Sequence, residues 1–248
     1  MNLVKRWLIR YWLILGVLAA WGTWVHVGSV NAIVAPSPAA VFQDLLTHAP
    51  AYLPDLLWTV LMSVAGLVLG MALGALLALA VWASRLVTGV VTPAALVMRS
   101  VPVVALIPVI GHLVGYGQSA ALVVTVVVSF FPAFVLINSA LHSVPRATAD
   151  LFTVLGAGPL KRLRLLHAPH AVGALLVALR TTAPSAVLAA MLAEYLLGQH
   201  GLGRLFATSV TYMDTARAWG TALVAIALSV AFSVLAQRLE RATAGRFH

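Results

Sequence analysis

The chain has 248 residues, of which 62% are hydrophobic and only 8% are charged. Soluble domains carry about 25% charged residues, so this composition excludes an ordinary soluble protein and predicts an all-α, polytopic membrane protein. The formal net charge of +9 favours basic loops that face anionic lipid, because no stripe of aromatic and basic residues for nucleic-acid binding is present. The absence of cysteine excludes disulfides and thiolate sites.

Five long apolar segments predict membrane-spanning helices, because about 20 apolar residues are needed to cross a bilayer. They lie at residues 7–27, 55–83, 118–142, 171–197 and 216–237. A shorter sixth segment near residues 100–117 is interrupted by Pro102, Pro108 and Gly111. Such interruptions are tolerated at membrane depth where the backbone lines a cavity or packs on protein.

The distribution of Lys and Arg predicts which side of the membrane each loop faces. Basic residues precede the first span, follow the second and fourth spans and end the chain, whereas residues 27–54 contain none. The termini and residues 146–169 are therefore expected in the cytoplasm, and residues 28–54 and 198–215 outside. Arg99 is compatible with two arrangements: residues 86–99 form an interfacial helix, or Arg99 lies within the third span.

We expect a single transmembrane domain over residues 1–248. It comprises an N-terminal helix with an outer loop (1–54), a core bundle (55–237) with a cytoplasmic segment (146–169), and a cytoplasmic tail (238–248).

Short ordered elements are expected in the two outer loops. Ala35-Pro36-Ser37-Pro38 predicts an extended turn before a helix at residues 39–46, and Gly201-Leu202-Gly203 begins a second short helix. On the second span, small residues recur at helical spacing at Gly66, Gly70 and Gly74. They allow close helix packing, either within the chain, which we favour, or at a dimer seam.

A short basic amphipathic segment at residues 146–169 lies between two long apolar runs. Residues 147–155 predict a helix with Asp150 near its start, and Gly156-Ala157-Gly158-Pro159 ends it and begins another. Pro169 is expected to end the unit before the next span. A membrane protein has little reason to keep such a segment in water unless a soluble partner docks on it.

The order of these motifs resembles that of inner-membrane permeases of ABC importers, in particular the sulfonate, taurine and nitrate type. The cytoplasmic segment is similar to their E-A-A-x3-G-x9-I-x-L-P loop: Asp150 stands at the Glu position, Leu151 and Phe152 at the Ala positions, Gly156 at the Gly and Pro169 at the Pro. Further similar runs lie, in the same order, at residues 35–41, 99–108, 179–180, 193–194 and 201–203.

The resemblance implies the architecture of a type I ABC-importer permease with about six transmembrane helices, located in the bacterial cytoplasmic membrane. It also implies that the cytoplasmic segment, called the coupling helix, docks in a groove of a separate ABC ATPase that binds ATP and Mg. The implied coupling residues are Asp150, Leu151, Phe152, Leu155, Gly156, Ala157, Lys161 and Pro169. For Lys161, contact with anionic lipid is an equally good interpretation.

The other implied partners are a second permease copy or a paralogue, an extracytoplasmic substrate-binding protein and the lipid bilayer. The chain lacks the G-x4-G-K-[S/T] phosphate loop, so the ATPase would be a separate subunit. No enzymatic activity, cofactor, metal or nucleic acid is expected in this chain. Two departures from the family are the bulky Leu151-Phe152 pair and the reduced Val114-Gly115-Tyr116-Gly117 loop.

Two ionisable residues, Arg180 and Glu194, lie within a predicted span, where charge is costly and faces protein or water. Because they are 14 residues apart, or ~21 Å along a helix, each needs a partner elsewhere, such as Arg99 for Glu194 or a backbone carbonyl cluster at a broken helix. They either line a substrate route and an outer gate or anchor the bundle, and we favour the structural role. Asn138, Pro102 and Pro108 complete the expected pathway or gate residues.

The expected function is that of a permease subunit that couples import to ATP hydrolysis by a separate subunit. The resemblance implies a small anion such as a sulfonate, taurine or nitrate as the substrate. The same machinery carrying a vitamin precursor is one alternative. A stand-alone channel or secondary carrier is another, and it would transport without ATP.

Overall fold

The computed structural model describes the backbone of residues 3–244 and the side chains of residues 12, 13, 15–91, 93, 94 and 101–243. Over those residues the chain is helical without a strand. The helices are α1 Leu3–Val27, α2 Pro38–Thr47, α3 Ala49–Ala83, α4 Arg85–Ser100, α5 Val103–Val114, α6 Gln118–His142, α7 Arg146–Val154, α8 Pro159–Arg162, a π-helical turn Leu163–His167, α9 Ala168–Leu197, α10 Leu202–Thr211 and α11 Thr215–Ala244. The all-α prediction is confirmed.

Two sequence predictions concern parts of the chain beyond these ranges. The side chains of Lys5, Arg6, Arg10 and Arg99 lie outside the described residues, as do the last four residues of the expected tail. The backbone nevertheless places Arg99 in α4, which is separate from α5. Arg99 therefore lies outside the third span, in a separate helix that covers residues 86–99.

Within the part of the chain that the structure describes, four helical stretches are long and apolar enough to cross a membrane: Ala49–Ala83, Gln118–His142, Pro159–Leu197 and Thr215–Thr243. The first and third predicted spans correspond to shorter apolar helices among the described residues, Leu15–Val27 and Val103–Val114. At 1.5 Å per residue, α5 reaches only about 18 Å, well short of the ~30 Å hydrocarbon core. The prediction of an interrupted sixth segment agrees with this short helix.

The core of the bundle is formed where α3, α6 and α9 pack together, and its closest contact uses glycine. A Cβ atom on Gly70 would lie 2.6 Å from the carbonyl oxygen of Val126, and one on Gly74 would lie 2.7 Å from that of Phe130. The glycine face of α3 therefore contacts the backbone of α6, which confirms packing within the chain. The buried face of α9 is rich in alanine, and these small side chains allow α9 to pack similarly close to its neighbours.

Replacing Gly70 with alanine is expected to destabilise the bundle by about 1–3 kcal/mol, the usual cost of overpacking. The added methyl group would press on the α6 backbone, which cannot move without separating the two helices. Gly89 in α4 has no heavy atom within 4 Å of an added Cβ. Gly89→Ala is therefore the control, and it should leave the thermal midpoint in detergent unchanged or slightly raised. Equal midpoints for the two variants would contradict the assignment.

The short helix α2 is held by its N-cap and by contacts with two spanning helices. Ser37 Oγ accepts a hydrogen bond from the Ala40 amide (3.2 Å), as expected for a helix begun by Pro38. Asp44 accepts hydrogen bonds from the Tyr52 hydroxyl of α3 and from Arg217 Nη2 of α11 (3.3 Å). Burial would raise the pKa of Asp44, but these hydrogen bonds lower it below its usual value, so the carboxylate stays ionised.

Pro169 does not end the cytoplasmic segment, so that prediction is wrong. Residues Pro159–Leu197 are continuously helical, and Pro169 lies in the first turn of α9. The π-helical turn Leu163–His167 immediately precedes it, and the Ala168 amide donates to the Leu163 carbonyl, five residues back. Proline lacks a donor and clashes with the carbonyl four residues earlier, and the widened turn accommodates it within a helix.

Candidate functional site

The bend between α7 and α8 is defined by backbone hydrogen bonds and one arginine. Gly156 has φ of +68°, a conformation that glycine adopts without strain. The Gly156 amide donates to the Thr153 carbonyl (3.0 Å) and the Ala157 amide to the Phe152 carbonyl (2.9 Å), which together form a Schellman motif. Arg162 Nε donates to the Ala157 carbonyl (2.9 Å). The bend therefore has a fixed geometry.

A patch of apolar side chains covers this bend and is open to solvent. The exposed fractions are 54% for Leu151, 85% for Val154, 71% for Leu155 and 59% for Leu160. No residue of α7, α8 or the π-helical turn is buried. We call these four residues the knob patch. Contiguous exposed apolar side chains of this kind mark an interaction surface.

The predicted coupling residues differ in how they fit this patch. Leu151 and Leu155 belong to it, whereas Phe152 is half-buried, and Asp150 and Lys161 lie exposed on the same segment. Asp150 is the fifth residue of α7, beyond the first turn, so a favourable interaction with the helix dipole does not explain its position. Val154 was missed in the sequence. Its spacing from Leu151 on one helical face was the available signal.

A second cluster lies at the opposite end of the bundle, where α10 begins. The three residues Asp55, Thr59 and Glu194, which we call the α10 clamp, are 6%, 0% and 1% exposed. They accept hydrogen bonds from three successive amides: Gly201 to Asp55 Oδ1 (2.7 Å), Leu202 to Thr59 Oγ1 (2.8 Å) and Gly203 to Glu194 Oε2 (3.2 Å).

The clamp ties three helices together through the free amides at a helix N-terminus. Thr59 Oγ1 donates to Glu194 Oε2 (2.7 Å), which links α3 directly to α9. Arg204 Nη2 lies 3.3 Å from Asp55 Oδ2 and partly balances the two carboxyl groups. The three side chains are buried and bind the first amides of α10, so the cluster fixes the position of α10 on α3 and α9.

The clamp supplies the partner that the sequence required for Glu194. That partner is Thr59 with the Gly203 amide, neither of which was predicted. Neither Asp55 nor Thr59 was identified from the sequence as part of a site. Asp55, Thr59 and Ser63 recur every fourth residue on α3, and all three are buried, so a polar stripe on one face of the span was the available signal.

The remaining predicted pathway residues are not gathered in one cavity. Arg180 Nη1 pairs with Glu240 Oε2 of α11 (3.3 Å), and Glu240 was also missed in the sequence. Asn138 is half-buried on α6, and its Oδ1 is buried without a hydrogen-bond partner. Pro102, the N-cap residue of α5, and Pro108, within α5, are both exposed. The positive charge of Arg180 is thus balanced within the chain.

Comparison with known proteins agrees with this fold. The family model described as "Binding-protein-dependent transport system inner membrane component" matches residues 50–247. A probable ABC transporter permease protein of Haemophilus influenzae is 32% identical over 239 residues, which cover 93% of this chain and 96% of that protein.

Two further relatives carry more specific names. The formylaminopyrimidine transport permease protein ThiX of Halalkalibacterium halodurans is 32% identical over 68% of this chain and 64% of its own length. The riboflavin transport system permease protein RibX of Chloroflexus aurantiacus is 31% identical over 58% of this chain and 53% of its own length.

Among solved structures, an inward-facing form of the MetNI methionine ABC transporter has a TM-score of 0.63 at 20% identity, over 75% of this chain and 92% of that chain. This similarity concerns the fold. The family match covers four-fifths of the residues and includes the knob patch and the α10 clamp. The chain therefore belongs to the ABC-transporter permeases that form the inner-membrane component of binding-protein-dependent transport systems.

Proposed function

We propose that this permease conducts a solute across the cytoplasmic membrane and receives force from a separate ABC ATPase that docks on the knob patch. The observation that carries the proposal is the patch itself: four largely exposed apolar side chains on a bend of fixed geometry, connecting the spans α6 and α9. The segment matches the family's coupling loop at Gly156 and Pro169. The topology that follows has both termini and the knob patch in the cytoplasm.

Movement of the docked ATPase would be transmitted through the continuous helix Pro159–Leu197, which runs from the knob patch to the α10 clamp. A rigid lever of this kind suits rocking between inward- and outward-open arrangements. We assign the clamp to the outer gate, where it holds α10 on α3 and α9. A second permease copy or paralogue and an extracytoplasmic binding protein complete the proposed assembly.

We propose an uncharged, flat nitrogen heterocycle of the vitamin-precursor class as the cargo, rather than a small anion. Two relatives are named for a formylaminopyrimidine and for riboflavin. Arg180, which one interpretation of the sequence places on a substrate route, is paired with Glu240. We place α5 beside the pathway because it is too short to span the membrane alone. Residues 101–116, which include α5, contain no Asp, Glu, Lys or Arg. These features support a neutral cargo.

The proposal is tested with proteoliposomes that contain the permease, its ATPase and its binding protein. We expect uptake of a radiolabelled formylaminopyrimidine to require ATP and to be unaffected by excess taurine or nitrate. Competition by either anion, without uptake of the pyrimidine, would support the anion assignment. Uptake by the permease alone, without ATP, would support a channel or secondary carrier.

Exchanging the charges of Arg180 and Glu240 tests whether the arginine serves structure or cargo. Arg180→Glu alone should reduce assembly and transport, because it places two acids side by side on α9 and α11. The double variant Arg180→Glu/Glu240→Arg restores the ion pair, so we expect it to recover most of the transport of the original protein. If folding recovers in the double variant but transport does not, Arg180 contacts the cargo.

A further inference from the structure

We propose that His167 is a positioning residue that locks the cytoplasmic ends of α3, α6 and α9 together, so that motion of the knob patch reaches all three spans. The inference rests on the proposed coupling function and adds a residue to it. His167 is the last residue of the π-helical turn, and it contacts both of the other helices.

The contact with α6 pairs a carbonyl at the end of that helix, where the last carbonyls have no partner within the helix. Helix α6 ends at His142, so no amide four residues further along the helix pairs the Leu141 carbonyl, and the residue at that position, Pro145, has no amide hydrogen. His167 Nδ1 lies 2.9 Å from this oxygen, and because a carbonyl can only accept, Nδ1 carries the proton and donates. Leu141 is 1% exposed, so the oxygen lies where an unpaired acceptor is costly.

The same ring contacts α3, and a neighbouring histidine adds a second link. The rings of His167 and Trp82, in the last turn of α3, are tilted by 57° with their centroids 5.0 Å apart. Ser143 Oγ, just beyond α6, lies 3.2 Å from His170 Nε2 at the start of α9. A short turn after α6 and the first turn of α9 are thus held side by side.

The π-helical turn decides which residue reaches these partners. One extra residue is accommodated in this turn, and it rotates the following helix relative to a regular α-helix. Such turns recur at functional sites, and here the turn joins the knob patch to a spanning helix. With the link in place, force on the knob patch moves α6 and α9 together. Without it, the loop 143–145 can bend and absorb the motion.

His167→Phe in the complete transporter is the main test, because phenylalanine keeps a ring against Trp82 but removes the donor. We expect the ATPase to copurify and to hydrolyse ATP, whereas the number of ATP molecules used per solute imported rises at least about fivefold, at the lower end of typical coupling effects. His142→Phe is the matched control. Its Nδ1 contacts the Asn138 carbonyl of its own helix, so its loss leaves the link between α6 and α9 intact and the ratio should be unchanged.

A second variant distinguishes the role of His167 in linking the helices from its hydrogen bond to the buried Leu141 carbonyl. His167→Asn places a side-chain N–H where the histidine Nδ1 lies, so it keeps the Leu141 carbonyl paired but removes the ring that contacts Trp82 of α3. We expect its thermal stability to recover relative to His167→Phe while the ATP-to-solute ratio stays high. Recovery of both, or an unchanged ratio in His167→Phe, would overturn the inference. Neither result affects the proposed function, which instead fails if the unaltered permease retains no ATPase.

Discussion

Gly201→Ala is expected to prevent stable packing of α10 against the bundle. Gly201 has φ of +104°, and an added Cβ would overlap the carboxyl group of Glu194. Strain of this backbone kind costs about 1–3 kcal/mol, and overpacking adds a similar amount. The Glu194 side chain has nowhere to retreat, because Thr59 and the Gly203 amide hold it. We expect a large fall in the thermal midpoint and in the yield of assembled transporter.

The control for this substitution is Gly115→Ala. Gly115 has φ of +88°, but the nearest atom to an added Cβ is Ser119 Oγ at 4.0 Å. Gly115→Ala therefore reports the backbone strain without the steric clash. Its thermal midpoint should fall less than that of Gly201→Ala. If the two variants lose the same stability, contact between Gly201 and the clamp contributes nothing, and the outer-gate assignment loses its structural basis.

The double substitution Val154→Asp/Leu155→Asp is expected to release the ATPase while leaving the permease folded. Both side chains are largely exposed, so the fold does not depend on burying them. In a docking groove, however, each would bury apolar surface, and full burial of a Val or Leu side chain contributes about 1.5–3 kcal/mol. Two such losses correspond to affinity that is weaker by about a thousandfold. Copurification of the ATPase in detergent measures the effect directly.

Val34→Asp makes the same kind of change at the other end of the bundle. Val34 is 69% exposed in the loop before α2, far along the chain from the knob patch. We expect this variant to retain the ATPase fully. Retention of the ATPase by the double knob variant as well would show that the docking surface lies elsewhere, and solute uptake by that variant would confirm it.

The sequence alone determined the features that depend on local pattern. Apolar length predicted the spanning helices, and proline and glycine placement predicted the short α5, the start of α2 and the bend at Gly156. Small residues at helical spacing predicted that Gly70 and Gly74 pack within the chain. In each case the physical cause lies within a few residues of the feature, so the local sequence is sufficient to predict it.

Only the tertiary structure decided which polar groups meet. Glu194 accepts a hydrogen bond from Thr59, 135 positions away in the sequence. Arg180 forms an ion pair with Glu240, and His167 donates to the Leu141 carbonyl. The sequence shows that a buried charge or an unpaired carbonyl needs a partner, but many residues satisfy the chemistry equally well. The choice among them follows from how α3, α6, α9 and α11 pack, and that packing depends on contacts distant in sequence. The sequence therefore predicted that Glu194 needs a partner, and the fold determined that this partner is Thr59 with the Gly203 amide.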